Sequence, residues 1–106
     1  MARSRNIKPS IMDNDQLAEL APLSRLLFVY LWMLADREGR LEDRPKRIAA
    51  QALPFDRDAD AGAMLDDLAA AGFLIRYRVD GVALIQITNF AKHQNPHPRE
   101  APSLLP

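Results

Sequence analysis

A small α+β domain, with its helices first and its main strands last, is what the sequence predicts. Three observations carry this. Residues 23–35 place apolar side chains on almost every side of a helical wheel, residues 45–53 and 61–69 keep one-sided helical stripes, and two runs rich in Ile, Val and Tyr flank Asp80-Gly81. The 106 residues suit one domain. Folding a chain of this size removes roughly two-thirds of its surface from water, enough for a single core.

Residues 14–20 make a short helix with Asp13 or Asn14 as N-cap. Pro22 suits the first turn of the next helix, where a missing N–H costs nothing. Leu23, Leu26, Leu27, Tyr30, Leu31 and Leu34 recur at three- and four-residue spacing, and Phe28, Val29, Trp32 and Met33 fill most of the remaining circumference. Such a helix belongs at the centre of the core, with Leu27, Leu31 and Trp32 buried. It ends near Asp36, and Gly39 closes the turn. Residues 39–43 alternate weakly, as a short strand does. Asp43 is expected to cap a basic second helix with Pro45 in its first turn, Ile48, Ala49, Ala52 and Leu53 on one side, and Pro54 as its stop. Residues 56–60 form a polar loop. Ala61, Met64, Leu65, Leu68 and Ala69 stripe a third helix, and Gly72 stands where a C′ glycine belongs.

Residues 73–79 and 82–90 read as strands, and the Asp-Gly between them is a strong hairpin signal. A two-residue turn pairs Val79 with Val82 and Tyr77 with Leu84, leaving Arg76 and Arg78 on the other face. Alternation changes parity after Leu84, where Ile85 and Ile87 become the apolar positions. A bulge or a change of covering element is expected there. Pro96, Pro98, Pro102 and Pro106 make residues 92–106 an extended arm or linker start. Residues 1–12 are expected to be a basic N-terminal arm, and 13–91 the domain proper. The order helix, short strand, helix, helix, hairpin is that of a winged helix-turn-helix domain, with about three to four helices and a C-terminal two-stranded wing at 75–90. A generic α+β domain with a two-stranded appendage is the plainer alternative.

Composition excludes much. With no Cys there is no disulfide framework, thiolate zinc site or thiol nucleophile. The few hydroxyl side chains sit in no nucleophile-elbow pattern, the four glycines are isolated, and the Asp-rich stretch 56–67 lacks calcium-loop spacing. His93 and His97 are four apart, but Pro96 and Pro98 oppose a helix and no third ligand is evident. The expectation is therefore a non-enzymatic chain with no metal and no cofactor. The start lacks a signal-peptide core. The longest apolar run is far short of the ~20 residues that span a bilayer, so a cytoplasmic protein without a membrane partner is expected.

Lys and Arg number 14, matching 14 Asp and Glu, so attraction to a polyanion must come from clustering. Arg3, Arg5 and Lys8 lie on the N-terminal arm, from which cations reach phosphates or a groove. Arg44, Lys46 and Arg47 begin the second helix, where backbone N–H groups also favour an anion, with Glu42 and Asp43 opposing. Arg76 and Arg78 share one face of the wing. Lys92, His93, Gln94, Asn95, His97 and Arg99 follow the last strand as a donor-rich stretch suited to base edges and phosphates. For Arg3, Arg5 and Lys8, and for the second-helix cations, an ordinary solvated surface is the competing reading. Trp32 is read as core rather than a stacking platform. The third helix, which ordinarily enters the major groove in this architecture, carries Asp60, Asp66 and Asp67 and no cation. Contact through the arms, second helix and wing is expected instead, or the third helix faces a protein.

The run 34–48, the wing Arg76-Tyr-Arg-Val-Asp-Gly81 and, most specifically, Asn89-Phe-x-Lys-His-Gln-Asn-Pro-His97 resemble the N-terminal domain of bacteriophage replication-initiation proteins, the replisome organisers. The resemblance covers almost the whole chain. It implies a winged helix, origin DNA binding and recruitment of the replicative helicase in the bacterial host cytoplasm. Such proteins continue into a linker and a longer C-terminal region, and this chain stops where that linker would begin. DNA is thus the expected partner, bound weakly by this domain alone. The alternative is a protein-interaction module of phage origin acting on a host or replisome protein through the acidic third helix or the wing. A phage transcription regulator comes third.

Overall fold

The computed structural model describes residues 3–106; residues 1 and 2 of the expected arm lie outside the described residues. A 3₁₀ turn (Pro9–Asp13) precedes α1 (Asp15–Ala18), α2 (Pro22–Leu34), β1 (Arg40–Glu42), α3 (Pro45–Ala52), α4 (Ala61–Ala70), β2 (Leu74–Val79), β3 (Val82–Ile87) and α5 (Phe90–His93). Five helices therefore combine with a three-stranded antiparallel sheet of order β1-β3-β2 among the described residues. None of these helices is long and apolar enough to cross a membrane.

Local chemistry sets most of the boundaries. Asn14 accepts the Leu17 N–H at 3.0 Å and caps α1. Pro22 opens α2, and Asp60 caps α4 by accepting from the Ala63 N–H at 3.0 Å. The α4 stripe ends in a paired C-terminal motif. Gly72, at φ +86°, donates to the Ala69 carbonyl, and Phe73 donates to that of Leu68. Asp80 and Gly81 both take positive φ, 51° and 81°, as a type I′ turn requires. The turn sets the register Val79↔Val82 and Tyr77↔Leu84.

Leu27, Leu31, Leu65, Leu68, Leu74 and Ile85 are fully buried in one core with Phe28, Trp32, Ile87 and Phe90. The Phe28 ring meets Trp32 edge-on at 5.3 Å and Phe73 at 5.1 Å. Although α2 is apolar nearly all round, it is not covered all round. Leu26, Tyr30 and Met33 stay exposed on one stripe, because four short helices and a small sheet cannot wrap every side of it.

The structure departs from several of these expectations. The sheet has three strands, since β1 joins β3 through Arg40↔Gln86, Leu41↔Ile85 and Glu42↔Leu84. The parity change after Leu84 is no bulge: the β2–β3 ladder runs unbroken from Leu74↔Ile87 to Val79↔Val82. Ile85 and Ile87 join the main core, whereas Leu84 is buried on the opposite face between Tyr77 and Glu42 of the flanking strands. The last strand stops at Ile87 rather than at 90, because Asn89 turns left-handed at φ 57° and Phe90 begins a helical turn. Asp43 does not cap α3; Arg44 occupies the N-cap without a side-chain bond, and the Asp43 carboxylate is taken by Arg76.

Gly39, at φ +80°, lets the β1 approach come hard against α5: a Cβ there would lie 2.6 Å from both Cβ and Cγ of Phe90. Gly81 has a similar φ but nothing within 4 Å. Gly39→Ala should therefore lower the urea midpoint well beyond Gly81→Ala, which costs only the ~1–2 kcal/mol of left-handed strain. Equal midpoints would deny the close approach. Leu31→Ala, at the centre of α2, should cost ~2–5 kcal/mol by the same measurement.

Candidate nucleic-acid interface

The described N-terminal residues are not a free arm. The last turn of α2 carries no basic residue of its own, although its terminal carbonyls and the negative end of its dipole favour a cation. Arg5 supplies it from the other side of the sequence. Its Nε donates to the Trp32 carbonyl at 2.9 Å and its Nη2 to that of Ala35 at 3.2 Å. Nη1 and Nη2 grip the two carboxylate oxygens of Glu100 at 2.8 and 2.7 Å. The guanidinium also lies 5.3 Å over the Phe90 ring. Only 1% of the Arg5 side chain remains exposed, so it is withdrawn from the solvent-facing set expected of it. Arg3 adds a bond to the Ala35 carbonyl and stands 3.9 Å from Glu100.

The C-terminal stretch is held by the same contacts. Gln94, expected to face a base edge, is buried. Its amide pairs with the Asn6 backbone in both directions, accepting at 2.6 Å and donating at 2.9 Å. Ser103 donates to Asp36, Arg37 to the Glu100 carbonyl and Arg40 to the Leu105 carbonyl. Residues 94–105 therefore return along the fold. Lys92, His93, Asn95, His97 and Arg99 remain exposed. Lys8 is exposed too and donates to the Lys92 carbonyl at 3.1 Å.

A second group forms where α3 begins. Arg76 of β2 forks onto Asp43, at 2.6 and 2.9 Å, and reaches Asp66 of α4 at 2.6 Å. The Asp43 hydrogen bonds, against the desolvation that opposes them, raise the Arg76 pKa further above its ordinary value. Arg76 thus ties hairpin, α3 entry and α4 together and has little charge to offer a ligand. Arg44 pairs with Glu42 at 2.9 Å with both side chains well exposed, a contact worth ~0–1 kcal/mol and easily exchanged. Lys46, on the face of α3 opposite buried Ile48, and Arg47, on its flank, are exposed and have no side-chain partner among the described residues. Arg78 is exposed as well. Its register partner Ala83 accepts the Asp43 N–H at 2.9 Å, which puts Arg78 roughly two strand spacings, ~10 Å, from the start of α3. On α4 the exposed positions are Ala63, Asp66, Asp67 and Ala70.

Of the fourteen expected contact residues, the structure leaves Arg44, Lys46 and Arg47 exposed at the start of α3 and Arg78 exposed on β2, and sets Lys8, Lys92 and His93 around the packed termini. Arg5, Gln94 and Arg76 are spent inside the fold. Sequence patterns alone miss Glu100, the clasp of Gln94 on Asn6, and the structural use of Asp43. A cation-less end on α2 and a lone glutamate in a basic tail are the signals that point to them. Scans of the chain against known protein families, curated proteins and solved structures find no match.

The Arg5 hydrogen bonds, outweighing desolvation and helped by the Arg5, Arg3 and Arg37 charges, hold the Glu100 carboxyl below its ordinary pKa of 4.5. A depressed folded pKa contributes stability that is complete above the unfolded value and is lost as pH falls through the folded one. The stability–pH curve should therefore drop below about pH 4.5. Glu100→Ala should flatten that limb and cost ~3 kcal/mol at neutral pH, because it strands a buried guanidinium. A Glu100→Ala curve that coincides with wild type would show that the pair contributes nothing, and a displaced but parallel one that the acid limb has another source.

Proposed function

We propose that the chain is a non-catalytic DNA-binding domain of winged-helix type, of the kind found in phage replication-initiation proteins. In this reading it acts at a replication origin in the cytoplasm of a bacterial host. The element order is compatible with that architecture: α3, a turn and α4 precede the β2–β3 hairpin, and β1 completes a small sheet. The observation that carries the reading is the start of α3, where Lys46 and Arg47 stand exposed beside Arg44; Arg78 of the hairpin is exposed as well. Cations without internal partners are the ones that release counterions from a duplex. Arg5 and Arg76 fall outside the contact set, so the electrostatic footprint is smaller than the sequence suggests. The helicase-recruiting part of such proteins belongs to segments beyond this fold.

One observation favours a second reading, a phage protein-interaction module acting on a host or replisome protein. The outward face of α4 presents Asp66 and Asp67 and no cation, so as a groove-entering helix it would meet phosphates with like charge.

Titration of a labelled duplex separates the two. About three to four phosphate contacts give a slope of log K on log salt of roughly −3 to −4. Lys46→Ala with Arg47→Ala should weaken binding and reduce the slope by about one per lost contact. Asp66 holds Arg76, so Asp67→Asn is the clean probe of α4, and it should leave binding unchanged or slightly tighter. Absence of duplex binding at low salt, or binding indifferent to the Lys46/Arg47 variant, would pass the function to the protein-interaction reading.

A further inference from the structure

A cleft of about 280 Å³ lies between the N-terminal segment, α1 and the entry to α5. Its floor is lined by Phe28, Trp32 and Phe90, each more than nine-tenths buried, and by the partly buried Phe73. Amides and hydroxyls form its rim. Asn14 keeps its amide nitrogen free, since only its oxygen serves as a cap. Ser10, Gln16 and Asn89 have no side-chain partner among the described residues, and Thr88 donates to Gly72 while keeping its oxygen able to accept. Lys8 and His93 are the ionisable lining residues, and no carboxylate lines the cleft. The N-terminal wall is fixed by the Asn6–Gln94 amide pairing.

An aromatic floor, an amide rim and a cation with no opposing acid suit a planar, hydrogen-bonding ring that carries negative charge. The volume is at the lower end for a ligand site, too small for a dinucleotide and suited to one base with its phosphate. Edge contact with aromatic rings tolerates any base, amides read its polar edge, and Lys8 takes the phosphate. We propose that this cleft binds a single unpaired nucleotide, with its base on the aromatic floor and its phosphate toward Lys8. The source is either a free nucleotide or one residue of single-stranded DNA. The single-strand source rests on the DNA-binding reading above, whereas occupancy of the cleft does not.

Trp32 is the only tryptophan of the chain and lines the cleft, so its emission reports occupancy. The whole chain is titrated with a short oligothymidylate, with thymidine monophosphate and with inorganic phosphate. Saturable change with the oligonucleotide, weaker change with the mononucleotide and none with phosphate is the expected result and assigns single-stranded DNA. Equal affinity for the mononucleotide supports the cleft and assigns a free nucleotide. Lys8→Ala and Asn89→Gly should each weaken the response about five-fold, as loss of one exposed charged or polar contact does. Glycine accepts the positive φ of Asn89 without strain. Both variants should keep the wild-type unfolding midpoint. Lys46→Ala with Arg47→Ala should leave the Trp32 response unaltered, so failure of the duplex corner and failure of the cleft are read separately. No saturable change with any nucleotide, or a response lost in the Lys46/Arg47 variant and retained in the Lys8 and Asn89 variants, overturns the proposal.

Discussion

Arg5 carries a full positive charge into a place where its side chain keeps almost no surface. Burial of that kind is tolerable only where every donor is matched. Here Glu100 matches two of its nitrogens, and the open carbonyls at the end of α2, with that of Ser4, take the rest. One side chain thus closes the C-terminus of the central helix, anchors the N-terminal segment and draws residue 100 back onto the fold. The neighbouring contacts depend on this anchor. Gln94 can pair with the Asn6 backbone only if both segments are already held side by side, and that pairing forms a wall of the nucleotide-sized cleft.

A second buried-acid contact organises the opposite corner in the same manner. Asp43 has a 7% exposed side chain and takes both prongs of Arg76, so the hairpin is tied to the start of α3. The two latches change what net charge means for this molecule. Cations that look available along the chain are already committed, and the acids that look like opposition, Asp43 above all, are committed with them. The field left at the α3 corner comes from Lys46, Arg47 and Arg78, with Arg44 loosely held by Glu42. It is modest and local, so it acts at short range rather than by steering from the whole surface.

Legibility in the sequence follows the distance over which each signal acts. The Asp80-Gly81 turn sets its own register because the dihedral demand and both strands are contiguous. Asn14, Asp60 and Gly72 mark helix ends through bonds to residues at most four positions away, and Pro22 marks one by the N–H it lacks. Asp43 reads wrongly as a cap for the same reason: the pattern offers a local partner, and a stronger one arrives from residue 76. The pairing of β1 with β3 spans more than forty residues, and the Arg5–Glu100 pair spans 95. Nothing in a single sequence ranks such partners, since a basic arm reads alike whether it reaches for phosphate or for a glutamate in its own tail. The exposed stripe Leu26, Tyr30 and Met33 escapes for a different reason, because hydropathy states what prefers burial and not how much cover the chain can supply.

The stretch from Asn89 to His97 divides by role. Asn89 turns the chain left-handed out of β3, Phe90 fills the space that Gly39 leaves open, and Gln94 clasps Asn6. These are architectural duties, held by residues of the stretch on which the expected resemblance rested most. A motif of this kind speaks to how the chain folds, and a shared fold does not by itself carry a shared activity. Lys92, His93, Asn95 and His97, interleaved with the structural positions, stay exposed. Function has to be sought in those side chains, in the cleft beside them and at the start of α3, where Lys46 and Arg47 answer to no internal partner among the described residues.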